Sequence, residues 1–353
     1  MTDRKKTSVV RIGCVSIGGD NPVAVQSMTK TDTRDAAATA LQIEKLASAG
    51  CEIVRVAVPD KRAAETLRDI KRMSPEGTPI CADIHFNHEL AIAAIKSGAD
   101  KLRINPGNIG GKEKLRELAE AAKKSGTPIR VGVNSGSLER GIYERHGNRI
   151  TPEGLAESAL NNVALLERAD FYDIVVSLKS PDAQTCYKAY KIVSEAVDYP
   201  LHLGVTEAGT AYSGSVKSAA CIGGLLLRGI GDTIRVSLTG DPLEEVRCAK
   251  EILKALKLRD FGVEIVSCPT CGRTGIDIEK YANAIESLCA GMTKRLTVAV
   301  MGCPVNGPGE AAEADVGVAG GDGKAVLFVK GKIVKTLPES EILETVMDII
   351  EKW

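Results

Sequence analysis

Aromatic side chains are scarce in this chain: one tryptophan, four phenylalanines and seven tyrosines among 353 residues. The core must therefore be filled by Ala, Val, Ile and Leu, which favours a tight barrel or a helix-covered parallel sheet over an aromatic-rich sandwich. Net charge is also missing. Forty-six Lys and Arg balance 46 Asp and Glu, so no global field calls for a nucleic-acid partner. No long hydrophobic run exists either. The longest nearly apolar stretch, residues 219–227, is well short of a membrane span, and residues 1–10 are polar and basic, without the apolar core of a signal peptide. A cytoplasmic protein with no membrane partner is the expectation. Ten cysteines in that compartment do not make a disulfide framework. Cys51, Cys81, Cys186, Cys221 and Cys248 fall in apolar segments and read as small buried hydrophobes.

What is present is a regular alternation. Short β-branched runs at 23–28, 52–58, 79–84, 101–105, 129–134, 173–179, 201–206 and 233–238 alternate with longer helical segments such as 35–49, 113–125, 152–168 and 242–256. Thr151, Ser180 and Asp241, each before a proline, read as helix caps, and Gly50, Gly98 and Gly126 as helix stops. Eight β–α units in about 230 residues is the arithmetic of an α/β protein with a (β/α)8, or TIM, barrel. After about residue 258 the pattern changes to helix 278–288, strands 296–300, 316–319, 325–329 and 332–336, and helix 339–352. This is a small α+β domain. The expected division is residues 1–258 and 259–353.

The barrel strands carry charge where apolar residues belong. Successive inward positions are two apart, and polar pairs recur at that spacing: Asp83 and His85, Arg103 and Asn105, Arg130 and Asn134 about Gly132, Ser177 and Lys179, Arg235 and Ser237. Arg55 stands among Ile and Val, and Glu207 follows the seventh strand. A single buried arginine is as readily a structural ion pair. Five cations on five strands converging on one barrel mouth instead call for a small polyanion, and arginine suits phosphate oxygens. His85 reads as a substrate contact and His88 as a surface residue at a helix start. The loop 105–111 resembles a phosphate cradle, a lesser signal because glycine-rich turns before helices are common.

The C-terminal domain has its own motif. Cys268-Pro269-Thr270-Cys271-Gly272 is followed, thirty-two positions after Cys271, by Gly302-Cys303-Pro304-Val305-Asn306-Gly307-Pro308-Gly309-Glu310. Thiolates are ligands of zinc and of iron–sulfur clusters. A zinc ribbon is usually completed by a second Cys-x-x-Cys or by histidines, whereas here Cys303 stands alone with Glu310 the nearest polar candidate after it. Three thiolates and one hard oxygen suit a cluster with one replaceable iron better than a closed zinc site.

Taken together, Arg55-Val56-Ala57, Ala82-Asp83-Ile84-His85, the runs 103–108 and 130–137, Thr206-Glu207-Ala208-Gly209 and the motif from Cys303 to Glu310 resemble the 4-hydroxy-3-methylbut-2-enyl diphosphate synthases of the methylerythritol phosphate route to isoprenoids, in their two-domain bacterial form. The resemblance spans nearly the whole chain. It implies a 4Fe–4S cluster on Cys268, Cys271, Cys303 and Glu310, flavodoxin or ferredoxin as electron donor, and a cyclic diphosphate substrate opened and dehydroxylated by two electrons and two protons. Glu310 would be an exchangeable ligand, and Glu207 is a candidate proton carrier. A homodimer is also expected. The helix 242–256 runs back to the barrel floor, the connection 257–263 spans at most about 20–25 Å, and a neighbour's mouth is easier to reach than the chain's own.

Overall fold

The computed structural model describes residues 4–85, 87–292, 294–303 and 305–353; Pro304 of the C-terminal motif lies outside them. The chain divides into two compact units, Met1–Arg259 and Asp260–Trp353.

The first unit opens with a hairpin, β1 (Val10–Ile12) and β2 (Val15–Ile17). Eight short strands follow: β3 (Ala24–Met28), β4 (Ile53–Ala57), β5 (Ile80–Asp83), β6 (Lys101–Ile104), β7 (Ile129–Asn134), β8 (Ile174–Lys179), β9 (His202–Leu203) and β10 (Thr233–Ile234). Every pairing among them is parallel, in the order β8-β7-β6-β5-β4-β3-β10-β9, and a parallel bridge from Val176 to Leu201 closes the ring. The expected TIM barrel is what forms. Ala24, Ile53, Cys81 and Val175 pack with Val10, Ile12 and Ile17 of the hairpin, so the floor is apolar and plugged. Arg259, the last residue of the unit, is tied to this same end. It donates to the Val23 carbonyl at 2.8 Å and pairs with Glu52 at 3.2 Å, the residues just before β3 and β4.

Helix ends follow local chemistry. Thr151 and Asp241 cap Pro152–Arg168 and Pro242–Ala255 as expected, their side chains accepting from Gly154 N and Leu243 N. Ser180 does not cap. Its hydroxyl accepts from Asp182 N, and the Asp182 carboxylate, two residues on, takes the orphan amide of Thr185 and starts Ala183–Ala196. The last two barrel strands are shorter than expected, so Arg235 and Ser237 lie beyond β10 rather than within it. Among the described residues no helix is long and apolar enough to cross a membrane.

The second unit is a five-stranded mixed sheet: β11 (Val263–Ser267), β12 (Leu296–Met301), β13 (Val316–Gly321), β14 (Lys324–Val329) and β15 (Lys332–Pro338), in sequence order. The strand β11 was not expected from the sequence. Alternation along β12 sorts its side chains to opposite faces. Val298 and Val300 pack with helices Ile278–Cys289 and Ile342–Lys352. Ala299 and Met301 pack with the short helix Gly307–Glu313. That helix sits close because β13 has no side chain at Gly317, where a Cβ would lie 2.2 Å from the Ala311 carbonyl oxygen.

Candidate functional site

Register gathers the polar strand positions into one well inside the barrel. Arg55 (β4), Asp83 (β5) and Arg103 (β6) form its firmest part. The Asp83 carboxylate takes Arg103 Nη1 at 3.2 Å and Arg55 Nε at 3.6 Å. Arg103 also donates to the Gly132 carbonyl at 3.0 Å and reaches the His85 ring at 3.1 Å. With its amide oxygen turned inward, Asn134 accepts from Arg103 Nη2 at 3.0 Å. Burial pushes the Asp83 carboxyl up, but Arg55, the His85 contact and Arg103 together hold it well below the ordinary carboxylate value. Gly132 is a spatial requirement here: a Cβ at that position would lie 2.2 Å from Arg103 Nε.

The rest of the well has cations and few acceptors. Arg130 on β7 donates to Ser177 Oγ on β8 at 2.6 Å, while its Nε and Nη2 have no partner among the described residues. Lys179, ending β8, has a buried Nζ with no partner among them. Arg235 is held at 3.2 Å by Glu245, which also accepts from Ser27 and Leu238 N and so is occupied. One level down, Lys101 donates to Gln26 at 3.4 Å, and burial pushes its amine down to about 8. His202, fully buried, is bonded to Thr233 through Nδ1 at 2.7 Å.

The expected residues do not all point to this well. Arg55, Asp83, His85, Arg103, Arg130, Asn134, Ser177, Lys179 and Arg235 share its contacts. The Asn105 side chain instead accepts from Gly107 N at 3.2 Å, shaping the turn Pro106–Asn108, which Asn162 of helix Pro152–Arg168 also holds. Ser237 is half-buried. Glu207 is exposed in the loop after β9, at φ 51°, a left-handed conformation uncommon for a residue other than glycine. His88 departs from its expected surface role: it is buried and lies 3.6 Å from Glu117 of the next helix. Cys248 is half-buried rather than buried. Lys101, Gln26, His202, Glu245 and Gly204 were missed. Lys101 was within reach, standing two positions before Arg103 on the same strand face.

In the second unit β11 and β12 run parallel with Ser267 opposite Val300. Cys268 and Cys303 therefore leave the same ends of neighbouring strands. The Cys271 loop is fastened there too, by Gly275 N on the Gly302 carbonyl at 2.8 Å and Cys271 N on Thr274 Oγ1 at 3.1 Å. Backbone amides of Asn306, Val305 and Gly307 face the Cys303 thiol and lower its pKa, and those of Arg273 do the same for Cys271. Amides aimed at sulfur favour thiolate, the form that binds metal. Cys268 is half-buried, and Glu310 is exposed in the first turn of Gly307–Glu313. Among the described residues no group of three or more His, Cys, Asp or Glu side chains is gathered tightly enough to hold a metal ion. In donor chemistry and strand placement the three cysteines fit a thiolate-bound cluster.

Residues 7–250 match the family described as GcpE TIM-barrel domain, and residues 264–352 match the GcpE protein C-terminal domain. The chain is similar to the 4-hydroxy-3-methylbut-2-en-1-yl diphosphate synthase (flavodoxin) of Caldanaerobacter subterraneus subsp. tengcongensis, 56% identical over 99% of this chain and 98% of that one. The protein of the same name from Geobacter sulfurreducens is 53% identical over the same shares. Among solved structures, the dihydropteroate synthase of Xanthomonas albilineans has a TM-score of 0.49 at 11% identity, covering 71% of this chain and 98% of that one, a likeness too distant to bear on function. With both of its units matched and half or more of its residues identical to those of full-length relatives, the chain belongs to the GcpE family.

Proposed function

We propose that the protein is a 4-hydroxy-3-methylbut-2-enyl diphosphate synthase: it reductively opens 2-C-methyl-D-erythritol 2,4-cyclodiphosphate and removes its C3 hydroxyl as water, taking two electrons and two protons. The observation that carries this is the well itself, where among the described residues Arg130, Lys179, Arg103 and Arg235 keep buried nitrogens without acceptors beside two carboxylates, both engaged. A diphosphate supplies the acceptors and the charge.

Cys268, Cys271, Cys303 and Glu310 would hold the 4Fe–4S cluster. When bound, it supplies electrons and a Lewis-acidic iron. The chain's own residues do the rest. Arg55, Arg103, Arg130, Lys179 and Arg235, with His85, Asn134, Ser177 and Ser237, grip the diphosphate, a fixed point for a substrate whose carbon skeleton changes shape. Asp83 orients Arg55 and Arg103, and Asn105 shapes the loop beside them. Glu207 carries a proton to the departing oxygen. Flavodoxin, named in the relatives, is the electron donor, and the setting is cytoplasmic. Arg259 ties the chain's exit to the barrel floor, remote from the well, which supports a homodimer in which the partner's cluster unit caps each barrel.

The test is anaerobic assay of the reconstituted protein with reduced flavodoxin and the cyclodiphosphate, with iron and sulfide counted per chain. Conversion to the linear diphosphate with a full cluster is expected. The Glu207→Gln protein should bind substrate yet lose at least about 100-fold in kcat. Zinc in place of iron, or no conversion, would sink the reading.

A further inference from the structure

Lysine and arginine respond differently to burial among cations. A guanidinium keeps its proton at any pH a protein meets, whereas an ammonium without water or acceptors gives its proton up. Lys179 is 4% exposed, and its Nζ has no hydrogen-bond partner among the described residues. The charges of Arg235, Arg130, Arg55 and Arg103, carried by four other strands or strand ends, all disfavour a proton on it. On the β9 side the wall is Gly204, where a Cβ would lie 2.6 Å from the Arg235 carbonyl oxygen, 2.9 Å from Lys179 Nζ and 3.3 Å from Cε. Any side chain at that position would press on the amine, and among the described residues none accepts from it. Cys186, on the helix after β8, and buried His202 also feel its charge. Asp83 and Glu245, the carboxylates of the well, are committed to arginines. Burial, then Arg235 and Arg130, hold the Lys179 amine well below its ordinary value.

We propose that Lys179 is neutral in the empty well and takes up a proton from solvent when a cyclic diphosphate binds, so that substrate arrives with a proton stored beside it. This rests on the cyclodiphosphate reading above. Bound phosphate oxygens give the amine the acceptor and the opposite charge that it lacks, which returns its pKa toward the ordinary range. Each phosphorus of the cyclic ligand has one ester, one anhydride and one strongly acidic oxygen. The ligand therefore does not titrate near neutrality, and any proton counted belongs to the protein. One of the two protons that the reduction consumes is thereby drawn into the site by binding itself.

Isothermal titration calorimetry of the oxidised holoenzyme with 2-C-methyl-D-erythritol 2,4-cyclodiphosphate tests this, without reductant so that no turnover occurs. Titrations at about pH 7.5 in HEPES, ACES and Tris, buffers of different ionisation enthalpy, count the protons exchanged. Wild type is expected to take up about one proton per ligand, with affinity falling by up to about tenfold per pH unit as pH rises, because the bound state holds the extra proton. Lys179→Arg, charged throughout, should bind without uptake and with a flat pH profile. Lys179→Met, close in shape and uncharged, should bind more weakly, also without uptake, and it decides the matter if the arginine variant misfolds. Zero uptake by wild type, or undiminished uptake in a folded variant, overturns the assignment to Lys179. No binding by wild type overturns the cyclodiphosphate reading, and this proposal with it.

Discussion

Replacing Gly132 with alanine should disable the Arg103 network while leaving the backbone fold intact. The new Cβ would lie 2.2 Å from Arg103 Nε and 3.0 Å from Cζ and Nη2. Ordinary carbon contact lies at about 3.5–4.0 Å, so the guanidinium must retreat by more than about 1 Å. Arg103 is 4% exposed and cannot swing into solvent. Retreat breaks the 3.0 Å bond to the Gly132 carbonyl and leaves more of a buried cation without acceptors. Overpacking costs about 1–3 kcal/mol, and a lost buried hydrogen bond costs about as much again. A total of about 2–6 kcal/mol is expected. Urea unfolding followed by far-ultraviolet circular dichroism reads this, since the single tryptophan, Trp353, reports on the other unit. Gly136→Ala is the control, because a Cβ there meets open space. In an Arg103→Met background the Gly132→Ala cost should fall by about 2 kcal/mol or more, as expected for coupled neighbours. A Gly132→Ala protein within about 0.5 kcal/mol of wild type, or a double mutant with no coupling, would refute the reasoning.

Two further outcomes follow from the same geometry. Asp83 has its folded pKa held below the unfolded value, so the stability it contributes is present above about pH 4 and is lost as pH falls below it. Asp83→Asn should cost about 3–5 kcal/mol at neutral pH and narrow the gap to wild type in acid, which urea titrations from pH 7 to pH 3 would measure. In the second unit, a Cβ on Gly302 would lie 2.3 Å from Ile278 Cδ1 and 2.9 Å from Thr274 Cγ2, displacing the Cys271 loop. Gly302→Ala should retain iron about tenfold less tightly after anaerobic reconstitution, read by iron analysis against chelator concentration, with the far-ultraviolet spectrum unchanged.

The barrel was legible because its signal is local. β-branched runs recur eight times, punctuated by caps such as Thr151 and by glycine stops, and each signal is set by a few neighbours. What escaped depends on distant partners. β11 reads Val-Glu-Ile-Val-Ser, five residues with little to mark them, and it becomes a strand only because β12 lies alongside. His88 looks like any polar residue at a helix start until Glu117 of the next helix closes over it. Glu245 looks like an acidic residue favouring a helix N-terminus, and only folding shows it holding Arg235 and Ser27. Asn105 has the right spacing for the well, yet its side chain is taken by its own turn. Spacing by two locates a face of a strand; it does not say which member of the face is already engaged.

The choice between a structural ion-pair network and an anion site turns on how the well treats its cations. A network built for stability would set carboxylates opposite the arginines, since a buried charge without a partner is costly. Here two carboxylates serve Arg55, Arg103 and Arg235, and among the described residues none is paired with Arg130, Lys101 or Lys179. Two strands carry glycine against these side chains: Gly132 against Arg103, from which its carbonyl accepts, and Gly204 against Lys179. Glycine at these positions gives up backbone stability and provides room instead of compensating charge. Under the proposed function, such an arrangement loses stability when empty and regains it when an anion binds, as expected of a site shaped for its ligand rather than for itself.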